Sequence, residues 1–499
     1  MTIDAGHINY GVLWPTLTVF GAACVAVLGE AFLPRTARTR LQPLLALAAL
    51  VTAFVGVAAS HPSHTTELTL DGPGLVWQGL ALLASILGVL LFTENRLDIS
   101  PFVGQAAVLP GTREEAAATH RLIHTEAYAL LLFAAGGMML LPVANDVLLL
   151  FVAIEVLSLP LYVLTGLARK RRLLSQEASL KYFLLGAFAS GFLVYGIALA
   201  YGASGSMQLA DLGKAHGALA WTALALLAVG LLFKVGAVPF HTWTPDVYQG
   251  APTPVAAWMS AATKVAAAGA LTRLLWIGFG ADPSAWRPVI AIIAALSMAL
   301  GSAFAVAQTD VKRLLAYSAI AHTGFLLVGI LGTTSGTMTA SRAVMLYLVA
   351  YVPSSIGAFA LVSLVRKSSG ESTDLDSWAG IGRRHPWFGF AFAILLISMA
   401  GIPPTVGFLG KWGVFATALA AHQYAIVMIG LACSVVSVFF YARVLLTMFF
   451  ALQPGRGLVH RPAWPTVAVI AVCVAATLAF GLIPAPMLSV LRHAGDLLV

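Results

Sequence analysis

The sequence predicts an all-α polytopic membrane protein with about fourteen transmembrane helices. Three observations carry that expectation. Of 499 residues, 60% are hydrophobic and 10% charged, where a soluble chain carries about 25% charged residues. Fourteen apolar stretches reach roughly the 20 residues that cross a hydrocarbon core. None shows the alternating ten-residue pattern of a membrane β-strand. A soluble enzyme and a disordered tail are excluded, because 28 Lys and Arg with 20 Asp and Glu cannot cover the polar surfaces of two or three soluble domains.

In order, the expected spans lie near 11–32, 42–59, 74–93, 122–142, 146–168, 178–201, 218–243, 254–278, 286–307, 314–332, 338–365, 387–420, 423–450 and 464–490. Residues 1–10 hold Asp4 and no Lys or Arg, so the first apolar run reads as a retained span rather than a signal peptide. Loops on one side carry eighteen Lys and Arg, including Arg35, Arg96, residues 169–172, Lys312, Arg313 and Arg384. Loops on the other side carry five: Lys214, Arg273, Arg287, Arg342 and Arg492. The positive-inside rule therefore turns both termini to the outer side. It also accounts for the net charge of +8 without nucleic acid. Cys24, Cys433 and Cys473 sit in separate apolar segments, a pattern that fits neither a disulfide framework nor a cysteine-held cluster.

Charges inside the spans are the main pointers to function, since each costs at least about 2.5–3.5 kcal/mol at mid-bilayer. They are Lys181, Lys234, Lys264, Lys411, Arg443, Glu126 and Glu155. The run AVGLLFKVGAVPFHTWTPDVYQGAPTPV places Lys234 five residues before Pro239, with Gly236 between. The proline lacks a backbone donor and breaks the helix. LLISMAGIPPTVGFLGKWGVF repeats the device with Gly401, Pro403 and Pro404, then Lys411. Paired broken helices point to inverted repeats and an ion path at mid-membrane. Lys264 lies between them among small residues that permit close helix packing. Glu155 has Ser158 and Tyr162 at helical spacing. A Glu155–Lys234 pair would keep the lysine charged and release its proton when the pair separates. Residue type and depth fit two roles here: proton transport, or a static ion pair that ties helices together.

Other residues carry a bland reading beside a functional one. Lys181, with Glu177, reads as a snorkelling lysine at an inner helix start. Glu126 reads as an interfacial cap or an interior group. His241 and His322 are able to pass protons near neutral pH, or to serve as hydrogen-bonded core histidines. His120 and His124 have ligand-like spacing beside a charged loop, and Arg443 reads as snorkelling or paired near the inner surface. Residues 64–75 suggest a short outer hairpin. Residues 94–120 and 366–386 are polar enough to lie along the inner surface.

The run PFHTWTPDVYQGAPTPVAAW resembles the hallmark segment of the proton-pumping membrane subunits of respiratory complex I. Its PDVYxGAPTP form is similar to the N-type branch rather than the L and M paralogues. EASLKYFLLGAFASGFLVYGIALAYG, DVKRLLAYSAIAHTGF, DLDSWAGIGRRHP and GIPPTVGFLGKW extend the likeness over about residues 120–450. The resemblance implies a three-helix N-terminal segment over 1–120 and a first five-helix repeat over 121–280. An inverted second repeat over 281–450 and a C-terminal helix over 451–499 follow, with helices 7 and 12 broken. It implies that Glu155 and Lys234 form the coupled pair, that Lys264 carries protons toward the second half, and that Lys411 connects to the outer side. His241, His322, Lys181 and Glu126 match further polar positions.

No redox centre is implied in this chain. The resemblance implies that NADH, FMN, iron–sulfur clusters and quinone belong to partner subunits of a hetero-oligomer in the bacterial inner membrane. The expected function is proton translocation coupled to NADH–quinone electron transfer. A stand-alone Na⁺(K⁺)/H⁺ antiporter subunit and a structural membrane anchor are the alternatives.

Overall fold

A computed structural model describes residues 10–65, 67–97, 102, 124–168, 172–367, 370–451, 455–495 and 497. His120 and most of the polar stretch 94–120 lie outside them. The principal helices are α1 (Tyr10–Phe32), α2 (Arg35–Ala59), α3 (Gly72–Phe92), α4 (Glu126–Leu140), α5 (Val147–Thr165), α6 (Arg172–Ser204), α7 (Ala218–Val235), α8 (Trp243–Gly250), α9 (Thr253–Arg273), α10 (Pro283–Ala307), α11 (Val311–Leu331), α12 (Ala340–Val362), α13 (Pro386–Ala400), α14 (Val406–Ala420), α15 (Tyr424–Phe450), α16 (Trp464–Leu482) and α17 (Ala485–His493). Twelve of these helices are long and apolar enough to cross a membrane. The long but more polar α9, and α13 joined to α14, supply two further crossings. The fourteen expected stretches each coincide with a helix or a broken helix.

Local chemistry sets the helix boundaries. Asp71 accepts from the Gly74 amide at 2.8 Å, and Asp146 accepts from Leu148 and Leu149. Each thereby satisfies amides that the first helical turn leaves free. The run expected near 464–490 divides because Pro484 cannot continue α16, and the following α17 buries only Met487 and Leu491. The anticipated hairpin is present, with β1 (Ser63–His64) antiparallel to β2 (Thr69–Leu70).

The 366–386 stretch is built into the fold by strand pairing. Here β3 (Val365–Lys367) pairs with both β4 (Gly370–Glu371) and β5 (Leu458–Val459). Its Arg366 and Trp378 are buried. Pairing to a distant strand satisfies backbone groups that a lone polar loop would leave to water.

The core is central and the rim apolar. Every residue of α9 is buried, as are nearly all of α11 and α12. On α1, α2, α6 and α15, large side chains such as Phe32, Leu44, Phe188 and Val435 face outward. Lipid tails are as apolar as leucine, so close packing and interhelical hydrogen bonds must fix the helices. Gly88 of α3 shows such packing: a Cβ there would sit 2.9 Å from the Trp258 indole of α9. The same indole donates to Ser85 at 3.0 Å.

Two cations counted as loop charges are buried instead. Arg273 ends α9 and pairs with Asp71 at 2.7 Å, with both side chains out of solvent. Lys312 opens α11 and donates to Ala251 O at 2.8 Å. Hydropathy places both near span ends but does not reveal that neighbouring helices close over them. Arg443 donates to the carbonyls of Val306 and Gln308, closing the end of α10.

Candidate proton path

The first break follows from Gly236 and Pro239. Gly236 adopts φ 76°, a left-handed conformation that suits glycine. The Gly236 and Ala237 amides turn back to Phe233 O and Leu232 O. In an unbroken helix the Val235 carbonyl would accept from residue 239, but that residue is proline and has no N–H. Lys264 of α9 takes this orphaned carbonyl at 2.8 Å, and Thr323 of α11 donates to it at 2.8 Å. Lys264 also donates to Ala319 O at 2.9 Å and to Thr323 Oγ1. Its three ammonium donors thus meet three uncharged acceptors.

The second break uses the same logic. Gly401 is left-handed at φ 83°, and Pro404 removes the donor that Ala400 O would need. Lys411 of α14 occupies that carbonyl at 2.7 Å and donates to Ser434 Oγ of α15 at 2.8 Å. Its ammonium also lies 4.6 Å from the Phe325 ring. Like Lys264, Lys411 is buried.

Lys234 sits one residue before the first orphaned carbonyl and is 2% exposed. Its Nζ lies 3.4 Å from Tyr182 Oη and 5.6 Å from the Tyr162 ring. Tyr162, singled out for its spacing from Glu155, therefore serves Lys234. Glu155 is half-buried and accepts from Ser190 of α6. The expected Glu155–Lys234 contact is not closed: the two are within electrostatic reach, but each binds a hydroxyl on α6 rather than the other. Ser158 turns to its own helix at Ile154 O.

Between Lys264 and Lys411 stands an aromatic cluster. His322 contacts Tyr347 Oη through Nδ1 at 2.5 Å and Tyr441 Oη through Nε2 at 3.3 Å. Ser318 continues the chain to Tyr441. His322, Tyr351 and Lys411 line one cavity of about 10 Å³, room for about one water molecule. Tyr351 bridges the halves, its ring 6.0 Å from Lys264 Nζ and 5.1 Å from the His322 ring. His241 lies in the first break with Nδ1 buried and unpartnered among the described residues.

Lys181 and Glu126 stand apart from this line. Lys181 pairs with Glu177 and Asp246, both at 2.7 Å, and Asp246 also binds Arg313 at 2.6 Å. Lys181 therefore ties α6 to α8 and α11 rather than merely snorkelling. Glu126 is 57% exposed beside His124, 3.4 Å away. Sequence reading missed Asp246 as well as the hydroxyls of Tyr182, Ser190, Thr323 and Ser434. Thr323 had one available signal, its place directly after His322.

Fold and site together define a polytopic membrane protein that carries ionisable side chains through its interior. The chain belongs to the family described as NADH:quinone oxidoreductase/Mrp antiporter, which it matches over residues 144–437. It is 51% identical to NADH-quinone oxidoreductase subunit N of a Nocardioides species, over 98% of each chain. It is 44% identical to the protein of that name from Mycobacterium tuberculosis, over the full length of both. Among solved structures, it resembles a chain of respiratory complex I from Thermus thermophilus. That match has 35% identity and TM-score 0.79, covering 97% of this chain and 100% of that one. A chain of the Mrp complex from a Dietzia species shares the fold, with TM-score 0.81 at 20% identity over 98% and 97% of the two chains.

Proposed function

We propose that this chain is the N-type, antiporter-like membrane subunit of a bacterial NADH–quinone oxidoreductase, and that it translocates protons. One observation carries the reading. Lys234, Lys264 and Lys411 are buried in sequence across two helix breaks, and each contacts a hydroxyl rather than a carboxylate. A carboxylate would hold a lysine charged. A hydroxyl serves both states, accepting from an ammonium and, once turned, donating to a neutral amine. Such sites let a proton arrive and leave without an orphaned group in either state.

In this reading Glu155 tunes Lys234 electrostatically across the Ser190 and Tyr182 hydroxyls. Lys264 and Thr323 carry the proton to the His322–Tyr351 cluster, and Lys411 with Ser434 delivers it outward. His241 joins at the first break, while Lys181 and Glu126 act at the margins. Residues 121–280 and 281–450 form the two inverted repeats. The chain lies in the inner membrane with both termini outside. NADH, FMN, iron–sulfur clusters and quinone reside with partner subunits. Moving one proton against about 200 mV takes about 4.6 kcal/mol, supplied by quinone reduction in those partners.

The test is proton pumping by the purified complex carrying Lys234→Ala in proteoliposomes, normalised to assembled complex and read beside NADH oxidation. Joint loss of both is expected. Normal pumping by assembled Lys234→Ala complex removes the mechanism and leaves the buried charges a structural role.

A further inference from the structure

A cavity of about 60 Å³ lies where α3, α9, α11 and α12 end on the side of the basic loops. It has room for about four water molecules. Glu94, Thr253, Lys312, Ser363, Arg366 and Glu371 line it. Lys312 is 1% exposed yet donates to Thr253 Oγ1 at 3.1 Å and stands 4.0 Å from Glu371. Thr253 in turn donates to Glu371 Oε2 at 2.6 Å. Lysine and glutamate with a bridging hydroxyl, set in a water-sized space, form a second cluster of titratable groups. The path from Lys234 to Lys411 makes no use of it.

A polar seam rises from this cavity into the core. On α9, Thr253, Ser260 and Lys264 recur at intervals of seven and four, which puts them on one face. Ser363, the C-cap of α12, and Ser355 and Tyr351 on that helix recur at eight and four, again one face. The seams meet: Ser260 Oγ and Ser355 Oγ are 2.7 Å apart, both buried. Lys264 lies about 16 Å above Thr253 along the helix, with Ser260 about 6 Å short of it. Tyr351 tops the α12 seam beside Lys264, its buried hydroxyl turned to Ser355 one helical turn away. The serine pair and this phenol thus place buried hydroxyls in succession where the two polar faces meet, and buried hydroxyls need such partners.

We propose that the cavity is the proton inlet of the chain. In it, Glu371 and Lys312 collect protons, and the paired hydroxyls of Ser260 and Ser355, then Tyr351, relay them to Lys264. Each hydroxyl oxygen takes a proton from below and releases its own hydrogen above, so one proton advances and no other bond changes. The proposal rests on proton translocation through Lys264 as read above.

The experiment uses the assembled complex in proteoliposomes and compares four forms: wild type, Lys264→Ala, Ser260→Ala with Ser355→Ala, and Ser260→Thr with Ser355→Thr. Alanine removes the hydroxyls with little change in volume, and threonine keeps them. We expect the double-alanine form, per assembled complex, to lose about tenfold in pumping rate, equivalent to about 1.4 kcal/mol. It should also lose the solvent deuterium isotope effect, while the double-threonine form retains most of both. Wild-type pumping by the double-alanine form beside a dead Lys264→Ala complex overturns the inlet and leaves the translocation reading intact. Wild-type pumping by Lys264→Ala overturns the reading beneath it. Equal loss in the alanine and threonine forms makes the seam a packing feature and overturns the relay.

Discussion

At the first break the orphaned carbonyl of Val235 is held by a lysine from another span, whereas at the second the carbonyl of Ala400 is held by a lysine of the same span. Both breaks share a left-handed glycine, a proline four residues after the carbonyl, and a hydroxyl that joins the lysine. They differ in reach. Lys264 binds across α7 and α11 from the wholly buried α9. Lys411 bonds to the last turn of α13 and to α15, whose Val435 beside Ser434 is 72% exposed. One backbone device thus makes a hub at the centre of the bundle and a local hinge near its edge. What the lysine joins decides how far a change at the break spreads.

That contrast sets the expected order of effects. Lys264→Ala should abolish pumping per assembled complex. It should also destabilise the bundle most, because three buried hydrogen bonds joining α9 to α7 and α11 are lost, each worth about 0.5–1.5 kcal/mol. Thermal unfolding of the detergent-solubilised complex measures the second effect. Lys411→Ala should also stop pumping, with a smaller drop in unfolding temperature, since only two hydrogen bonds are lost near the edge and Ser434 still donates to Ala400 O. Equal destabilisation by the two would erase the distinction between hub and hinge.

Thr323→Val keeps shape but removes the hydroxyl that both Lys264 and Val235 O use. Pumping should fall about tenfold, and Thr323→Ser should restore it. Ser434→Ala should fall less, because Lys411 keeps its carbonyl beside a half-exposed position. Glu126→Gln should do least: an exposed carboxylate beside one histidine is worth under about 0.5 kcal/mol, and pumping should match wild type. A severe pumping defect there would bring the margin into the path.

Much of the frame was legible because the signals are local. Hydropathy located the spans, and Pro239 and Pro404 announced the breaks. Lysine at depth marked Lys234, Lys264 and Lys411. What escaped was relational. Thr323 meets Val235 across 88 residues, and serine or threonine in an apolar helix usually bonds its own backbone, as Ser158 does. Tyr182 and Ser190 carry no spacing that separates them from other residues of α6. The Glu155–Lys234 pair takes a form that charge and depth alone do not show: within electrostatic reach, each side chain is bound to a hydroxyl of α6. Arg273 and Lys312 looked like loop charges because a hydropathy profile has no view of what closes over a helix end.

The composition of α9 also bears on how the protein is made. This helix is absent from those apolar enough to cross a membrane alone, and a central lysine adds about 2.5–3.5 kcal/mol against insertion. Its acceptors on α11 and its serine partner on α12 are synthesised dozens of residues later. A ribosome threading this chain into the bilayer must therefore leave α9 waiting, sheltered by α3 and α7, until the second half arrives to close around it. Truncation after α10 should leave α9 exposed to membrane proteases, whereas truncation after α12 should protect it.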